Sequence, residues 1–470
     1  MTRRRIVDPL SRGAIQPQLE GRWGAHFQPL LPSSIFDPTP RDVPVPPPPP
    51  ITASGYARDS RRRIHGPRCA GQHVSTRWLR TEHQAYTYGR VYDSYFATES
   101  GCKRFWSADR TGLVSYRRLG RYVKVIGGLL ASREDKPQLL REFLAFAQSH
   151  RLVVTFLNVT EEDAPIFRKH GFQVTKWGEE PFVDLQQCNW SGKQFDWIRR
   201  QTNYCRRAGI KIVEHRRDEM DDSDWALLVE KLQVVSDEHL ATKPHAAEIK
   251  LLEGHLEANR WGRRRLFVAY SSDFPKRIEA FLVTLPTRNG RQWAFEMYRH
   301  RRDAVRGVVP HLFHVAMMQM KVEGIEAVSL CLVPGLGCEE AAIGDSALTR
   351  HVLVFGTKYL NFLFDFAGIY HFKSRFRPWY ESRYICARPE ASLLSALALF
   401  RLSGMLTFNL KRVTSNLRQK HLKRRQRTHL LPLARVAEDQ LSPRANGRRI
   451  AVLSRVIAGR FRRPSPNGPG

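Results

Sequence analysis

The spacing of apolar positions changes at about Tyr86, where short hydrophobic runs begin to alternate with stretches of helical periodicity. Leu113–Arg117 and Tyr122–Gly128 read as strands, the second ending in two glycines. Pro137 opens a predicted helix that sets Leu139, Leu140, Phe143, Leu144 and Ala147 on one face. A buried strand is expected over Leu152–Leu157, a short helix over Glu161–His170 stopped by Gly171, and a further strand over Phe172–Trp177. The next helix, Ser191–Arg207, carries Phe195, Ile198 and Cys205 near one side and Arg199, Arg200, Arg206 and Arg207 on the rest, and Gly209 ends it.

After Met220 a broadly similar order returns. Helices are expected near Trp225–Leu240 and Ala246–Asn259, then strands over Arg265–Tyr270, Arg277–Leu285 and Gln292–Met297, a helix over Gly307–Glu323 and a strand over Ala327–Val333. The β-β-α-β-α-β order of the first round matches the acyltransferase fold named for N-acetyltransferases (GNAT). The expected class is therefore α/β, with two tandem GNAT-like domains over 80–218 and 219–400, each a mixed sheet flanked by helices.

The flanks differ in kind. Residues 1–75 are rich in Pro and Arg, and Val43–Pro50 has the composition of a stiff polyproline II segment, so this part reads as a disordered arm. Past Ser392 an apolar stretch precedes Lys411, Arg412, Arg418, Lys420 and the cluster Lys423–Arg427. An apolar helix beside basic residues suits an anchor on anionic lipid, and residues 401–470 are expected to be a basic tail that meets membrane or RNA. The net charge of +31 over 470 residues favours polyanionic partners of the same kinds. Seven scattered cysteines show neither a disulfide framework nor zinc spacing, so a reducing cytoplasm and no metal site are expected. No apolar run approaches the roughly 18 residues that a membrane-crossing helix needs.

The stretch Ile369–Ala387 interleaves basic and aromatic residues: Phe372, Lys373, Phe376, Pro378, Arg383 and Tyr384 follow the order F-K-x-K-F-x-P-x-W-x-x-R-Y, with Trp379 one position early. Trp177–Leu185 follows L-G-E-E-A-x-V-x-L, and Phe295–Arg299 is similar to D-L-M-R with Glu296 in place of the aspartate. In this order the three segments resemble the catalytic half of bacterial phosphatidylglycerol lysyl- and alanyltransferases, without the membrane-spanning half. Two positions depart from that pattern: Arg306 stands in a P-N-G turn, and Cys331 replaces the glycine of S-L-G.

The resemblance implies transfer of an aminoacyl group from charged tRNA to a lipid hydroxyl. Aminoacyl-tRNA is then a co-substrate, no cofactor is needed, and anionic phospholipid is the second partner. The expected place is the cytoplasm, peripheral at the inner face of the membrane. Glu296 and Arg299 become the catalytic candidates, with Lys373, Arg375, Arg377, Trp379, Arg383 and Tyr384 as substrate contacts. Because i and i+3 point to opposite faces of a regular strand, Glu296 and Arg299 are expected to converge only if the strand ends between them. Glu179 and Glu180 read as structural. Two other readings remain open: an acyl-CoA-dependent N-acyltransferase, although Arg302–Val309 has a single glycine where such enzymes cradle a pyrophosphate, and a non-catalytic tRNA- or membrane-binding module.

Overall fold

The protein, seen as a computed structural model, is described over residues 75–243, 249–272, 277–359 and 365–405. The Pro/Arg-rich arm up to residue 74 and the basic tail past Met405 lie outside the described residues.

Its first half contains α1 (Thr76–Tyr88), the 3-10 segment Tyr92–Thr98, β1 (Lys103–Trp106), β2 (Leu113–Leu119), β3 (Tyr122–Leu130), α2 (Lys136–Ser149), β4 (Val153–Thr160), α3 (Ala164–Lys169), β5 (Gln173–Asp184) and α4 (Asp196–Arg207). Its second half contains β6 (Lys211–His215), α5 (Asp222–Ala241), β7 (Arg265–Tyr270), β8 (Ile278–Thr287), β9 (Gln292–His300), α6 (Val308–Val322), β10 (Ala327–Ser329) and β11 (Val333–Pro334). Three helices and a strand complete it: α7 (Ala347–Tyr359), α8 (Phe366–Ser374), β12 (Trp379–Arg388) and α9 (Leu393–Ser403).

The class is α/β, a mixed sheet flanked by helices. A repeat is visible in the pairing: β1–β3 are antiparallel and α2 leads to β4, parallel to β3, while β6–β9 are antiparallel and α6 leads to β10, parallel to β9. The strands form one continuous sheet in the order β1-β2-β3-β4-β12-β5-β10-β9-β8-β7-β6.

That order amends the expected division at 218/219. β12 comes from the end of the chain yet lies between β4 and β5, antiparallel to both. The physical reason is a buried ion pair: Arg383 of β12 donates from Nε to Glu180 of β5 at 2.6 Å, and both side chains are 1% exposed. The halves also share one apolar cluster, in which Leu113, Ile126 and Leu157 join Leu266, Val268 and Phe281 around the fully buried Tyr92–Thr98 segment.

Residues 249–259, expected as the end of a helix, are an irregular loop up to the short 3-10 turn Ala258–Arg260. Tertiary hydrogen bonds override local periodicity: the N–H of Gly254 goes to Glu296 and that of His255 to Glu99, so neither joins a helical ladder.

Candidate active site

The local fault that makes the site is in β9. Met297 pairs with Val283 and Phe295 with Thr284, so Glu296 is an extra residue, a β-bulge. The bulge changes the phase of the strand, and Glu296 and Arg299 both line the same cavity although three positions apart. They therefore meet through a bulge inside β9, which runs on to His300, and not through a strand end between them. Beyond the bulge β9 also leaves β10, their pairing stopping at Ala294 and Ser329. The gap opens into a cavity of about 1300 Å³, its walls mainly apolar side chains of α7, α9 and the loop before Glu253.

Glu296 is buried and its Oε1 accepts the Gly254 N–H at 2.5 Å. Burial pushes its carboxyl up to about 8, and Glu99 and Glu253 nearby add to the effect against the pull of Arg299. Gly254 is the residue that permits this approach: a Cβ there would lie 2.9 Å from Glu99 and 3.1 Å from Glu296. Arg299, 5% exposed, donates to Glu253 at 2.8 Å. Lys373 of α8 reaches in from the other side, its Nζ donating to the carbonyls of Cys331 at 2.9 Å and Leu332 at 3.0 Å. Burial pulls its ammonium down to about 8. His239 also lines the cavity, its ring 4.7 Å from that of His300, and burial with the charges of Lys243 and Arg299 drives it down to about 3, so it is neutral.

The site thus sets a carboxyl and an ammonium, both titrating near neutrality, beside a fixed guanidinium. Glu253, Lys243 and His239 were not singled out by the sequence reading. The available signal was Gly254 between Glu253 and His255, a glycine within a run read as helix. Cys331, placed where the pattern has glycine, adopts φ +63° and lies between Phe295, whose carbonyl accepts its thiol at 3.4 Å, and Lys373.

Of the six expected substrate contacts only Lys373 lines the cavity. Arg383 is consumed by Glu180 and by Glu381 at 2.9 Å, so it ties strands together. Glu180 is its structural partner and also accepts the Ser329 hydroxyl. Tyr384 packs with the α2-side core. Arg375, Arg377 and Trp379 lie outside the cavity: Arg375 stacks over Trp197 of α4 at 5.3 Å, Arg377 is exposed, and Trp379, 40% exposed, stacks on Phe182 at 5.4 Å. On α4, Arg199 is held by the carbonyls of Trp190 and Gly192 and Arg200 by Asp196, while Arg206 and Arg207 are exposed.

The repeat in the first half is closed. β3 carries its own irregularity at Gly127 and Gly128, but the space beside it is about 10 Å³ and is bordered by the Lys136–Asp163 ion pair at 2.7 Å. Among the described residues no group of acids, histidines and cysteines could hold a metal ion.

Residues 85–387 match the family described as phosphatidylglycerol lysyltransferase, C-terminal. The chain belongs to this family. A phosphatidylglycerol lysyltransferase of Bacillus subtilis (strain 168) is 25% identical over 301 residues, covering 62% of this chain and 33% of that protein. One from Staphylococcus aureus (strain COL) is 22% identical over 320 residues, covering 66% and 36%. The chain spans about a third of the length of these curated relatives. The fold is shared with a structure of L-PGS from Bacillus licheniformis, with a TM-score of 0.58 at 22% identity over 70% of this chain and 97% of that one. It is shared too with the C-terminal domain of a putative lysylphosphatidylglycerol synthetase from Agrobacterium fabrum, with a TM-score of 0.57 at 20% identity over 71% and 99%. The family match covers β9, the motif strand β5 and nearly all of β12, so it spans every strand that shapes the site.

Proposed function

We propose that this protein transfers an aminoacyl group from the ribose ester of a charged tRNA to a hydroxyl of phosphatidylglycerol or a related lipid. The observation that carries the reading is the buried group Glu296, Arg299 and Lys373 at one end of a large, mainly apolar cavity. An apolar cavity accommodates a lipid, and the polar end suits ester exchange.

The step is balanced without ATP or metal. The lipid oxygen forms a bond to the aminoacyl carbonyl carbon, the bond from that carbon to the ribose oxygen breaks, and the lipid's hydroxyl proton ends on the ribose hydroxyl. Glu296, as carboxylate, takes that proton and returns it to the leaving oxygen; a group near 8 suits both halves of the task. Lys373 and Arg299 supply positive charge to the developing oxyanion. Glu253 holds Arg299 in place and offers a carboxylate for the α-ammonium of the donor.

Outside the cavity, Trp197, Arg375, Arg377 and Trp379 with Arg206 and Arg207 form basic and aromatic surface suited to the single-stranded end and phosphates of tRNA. Leu393, Leu394 and Leu397 of α9 are 69%, 62% and 51% exposed beside the cavity and suit peripheral contact with a lipid surface. No helix among the described residues is long and apolar enough to cross a membrane.

The acyl-CoA reading finds less support. Gly307, at φ +87°, opens α6, and a Cβ there would collide with Gln201 of α4. Cys205 of α4 also meets the Arg306 carbonyl at 3.5 Å, so α4 covers the turn that a pyrophosphate would need. The test is incubation of the purified protein with lysyl- or alanyl-tRNA and phosphatidylglycerol micelles, with mass spectrometry of the lipids. Formation of aminoacyl-phosphatidylglycerol is expected; acylation of an amine from acyl-CoA with no aminoacyl lipid would overturn the proposal.

A further inference from the structure

The cavity has a second polar wall, on the first half of the sheet. Lys124 of β3 is 1% exposed and donates from Nζ to Thr155 Oγ1 of β4 at 2.9 Å and to Ser395 Oγ of α9 at 2.7 Å. The two hydroxyl oxygens are 3.4 Å apart, and all three side chains line the cavity. Three other buried cations of the fold have a carboxylate, Lys136 with Asp163, Arg299 with Glu253 and Arg383 with Glu180, and Lys373 has two backbone carbonyls. Among the described residues Lys124 forms no such pair and has only neutral hydroxyls, and burial pulls it down to about 7.

Counting protons shows what this group lacks. An ammonium has three N–H donors, of which two are used. Each hydroxyl accepts from Nζ, and the pair can satisfy only one of its two O–H protons internally. At least one ammonium proton and one hydroxyl proton therefore remain for a further acceptor. Ser395 also lies in the first turn of α9, whose N-cap Ser392 borders the cavity, and this end of a helix favours negative charge. A buried cation, spare hydroxyl donors and a helix start, with no acid, make a site for an anion with several acceptor oxygens.

We propose that Lys124, Thr155, Ser395 and the start of α9 bind the phosphodiester of the acceptor lipid. This rests on the lipid-acceptor reading above and adds to it the headgroup contact that selects a phospholipid. A lipid is favoured over RNA because the neighbouring cavity walls are Leu353, Leu399, Phe400 and Met405, which suit glyceride chains and offer nucleotides no polar partner. Binding there would return Lys124 to its charged form and shield it.

The experiment labels the whole protein with acetic anhydride near neutral pH and follows acetylation of Lys124 by mass spectrometry. Dioctanoyl phosphatidylglycerol should protect Lys124 about 10-fold or more; dioctanoylglycerol, which has the chains without the phosphate, should not, nor should an RNA oligonucleotide ending in CCA. Equal protection by dioctanoylglycerol, protection by the RNA instead, or a Lys124 that never reacts would each overturn the proposal. In transfer assays Lys124→Met should raise KM for the lipid about 10-fold, the worth of one charge-assisted hydrogen bond, with kcat and the KM for aminoacyl-tRNA little changed. Ser395→Ala should act in the same direction more weakly, which guards against misfolding of the Met variant; a fall in kcat alone in both variants would count against the subsite. Labelling needs no donor, so protection of Lys124 without any lipid aminoacylation would overturn the transfer reading and leave the subsite standing.

Discussion

Glu296→Gln separates the chemistry of this carboxyl from its packing. Glutamine keeps the volume and can still accept the Gly254 N–H, but it cannot take up or return a proton. Transfer should fall by about 10²–10⁴, the usual contribution of a positioned acid–base group. In the parent protein, with the carboxyl near 8, only roughly a tenth is ionised at pH 7, so turnover should climb with pH toward about 8 and fall above it as the Lys373 ammonium loses its proton. The variant should lose the rising limb. Stability should move the other way. Below the ordinary glutamate value of 4.5 both folded and unfolded chains hold the proton; between 4.5 and 8 the unfolded chain releases it and the folded chain does not. The folded state therefore loses about 1.4 kcal/mol per pH unit across that window, at most about 5 kcal/mol in all. Urea denaturation at pH 5 and pH 9 should show the glutamine variant gaining on the parent by up to that amount. A variant with parental turnover and the same pH limb would refute the role of Glu296 in proton transfer, and an unchanged stability difference across the window would refute its burial as the cause.

Arg383→Ala should destabilise the fold by about 3–5 kcal/mol in urea denaturation, because Glu180 is left buried and unpaired; a parental midpoint with a raised substrate KM would restore the sequence-based view of Arg383 as a substrate contact. Replacing Leu393, Leu394 and Leu397 together with serine should weaken flotation with anionic vesicles roughly tenfold or more, since three apolar side chains no longer enter the interface. Arg206→Ala with Arg207→Ala should reduce the slope of log affinity for tRNA against log salt by about 1.5, as two phosphate contacts are lost; an unchanged slope would place the tRNA elsewhere.

Much of the fold could be read in the residues where helices and strands bury apolar residues: the strands around Val123 and Phe267 and the helix face of Leu139 and Phe143 are of this kind. Glu296 and Arg299 were singled out through motif order, but the way they come to line one cavity was not, because a bulge leaves no trace in hydrophobic period. The loop holding Glu253 was misread for the opposite reason, its leucines having helical spacing while its N–H groups serve Glu296 and Glu99. The basic and aromatic run from Lys373 to Tyr384 looked uniform in sequence, yet it turns from helix to strand within it. Its members are dispersed among cavity, surface and core accordingly. Lys124, one lysine within an apolar strand, has no sequence signal apart from its alternation with Val123 and Val125.

The position of β12 has a consequence for synthesis. The first half emerges complete in sequence by about residue 207, yet its sheet has a strand-wide gap between β4 and β5 until residues 379–388 have been made. Glu180 waits for Arg383 across 203 positions of chain, a long loop to close before the contact stabilises anything. The nascent first half is thus exposed to wrong strand pairing at that gap, and the chain cannot acquire a working site by halves: the strand that seals the first half follows directly on the helix that delivers Lys373.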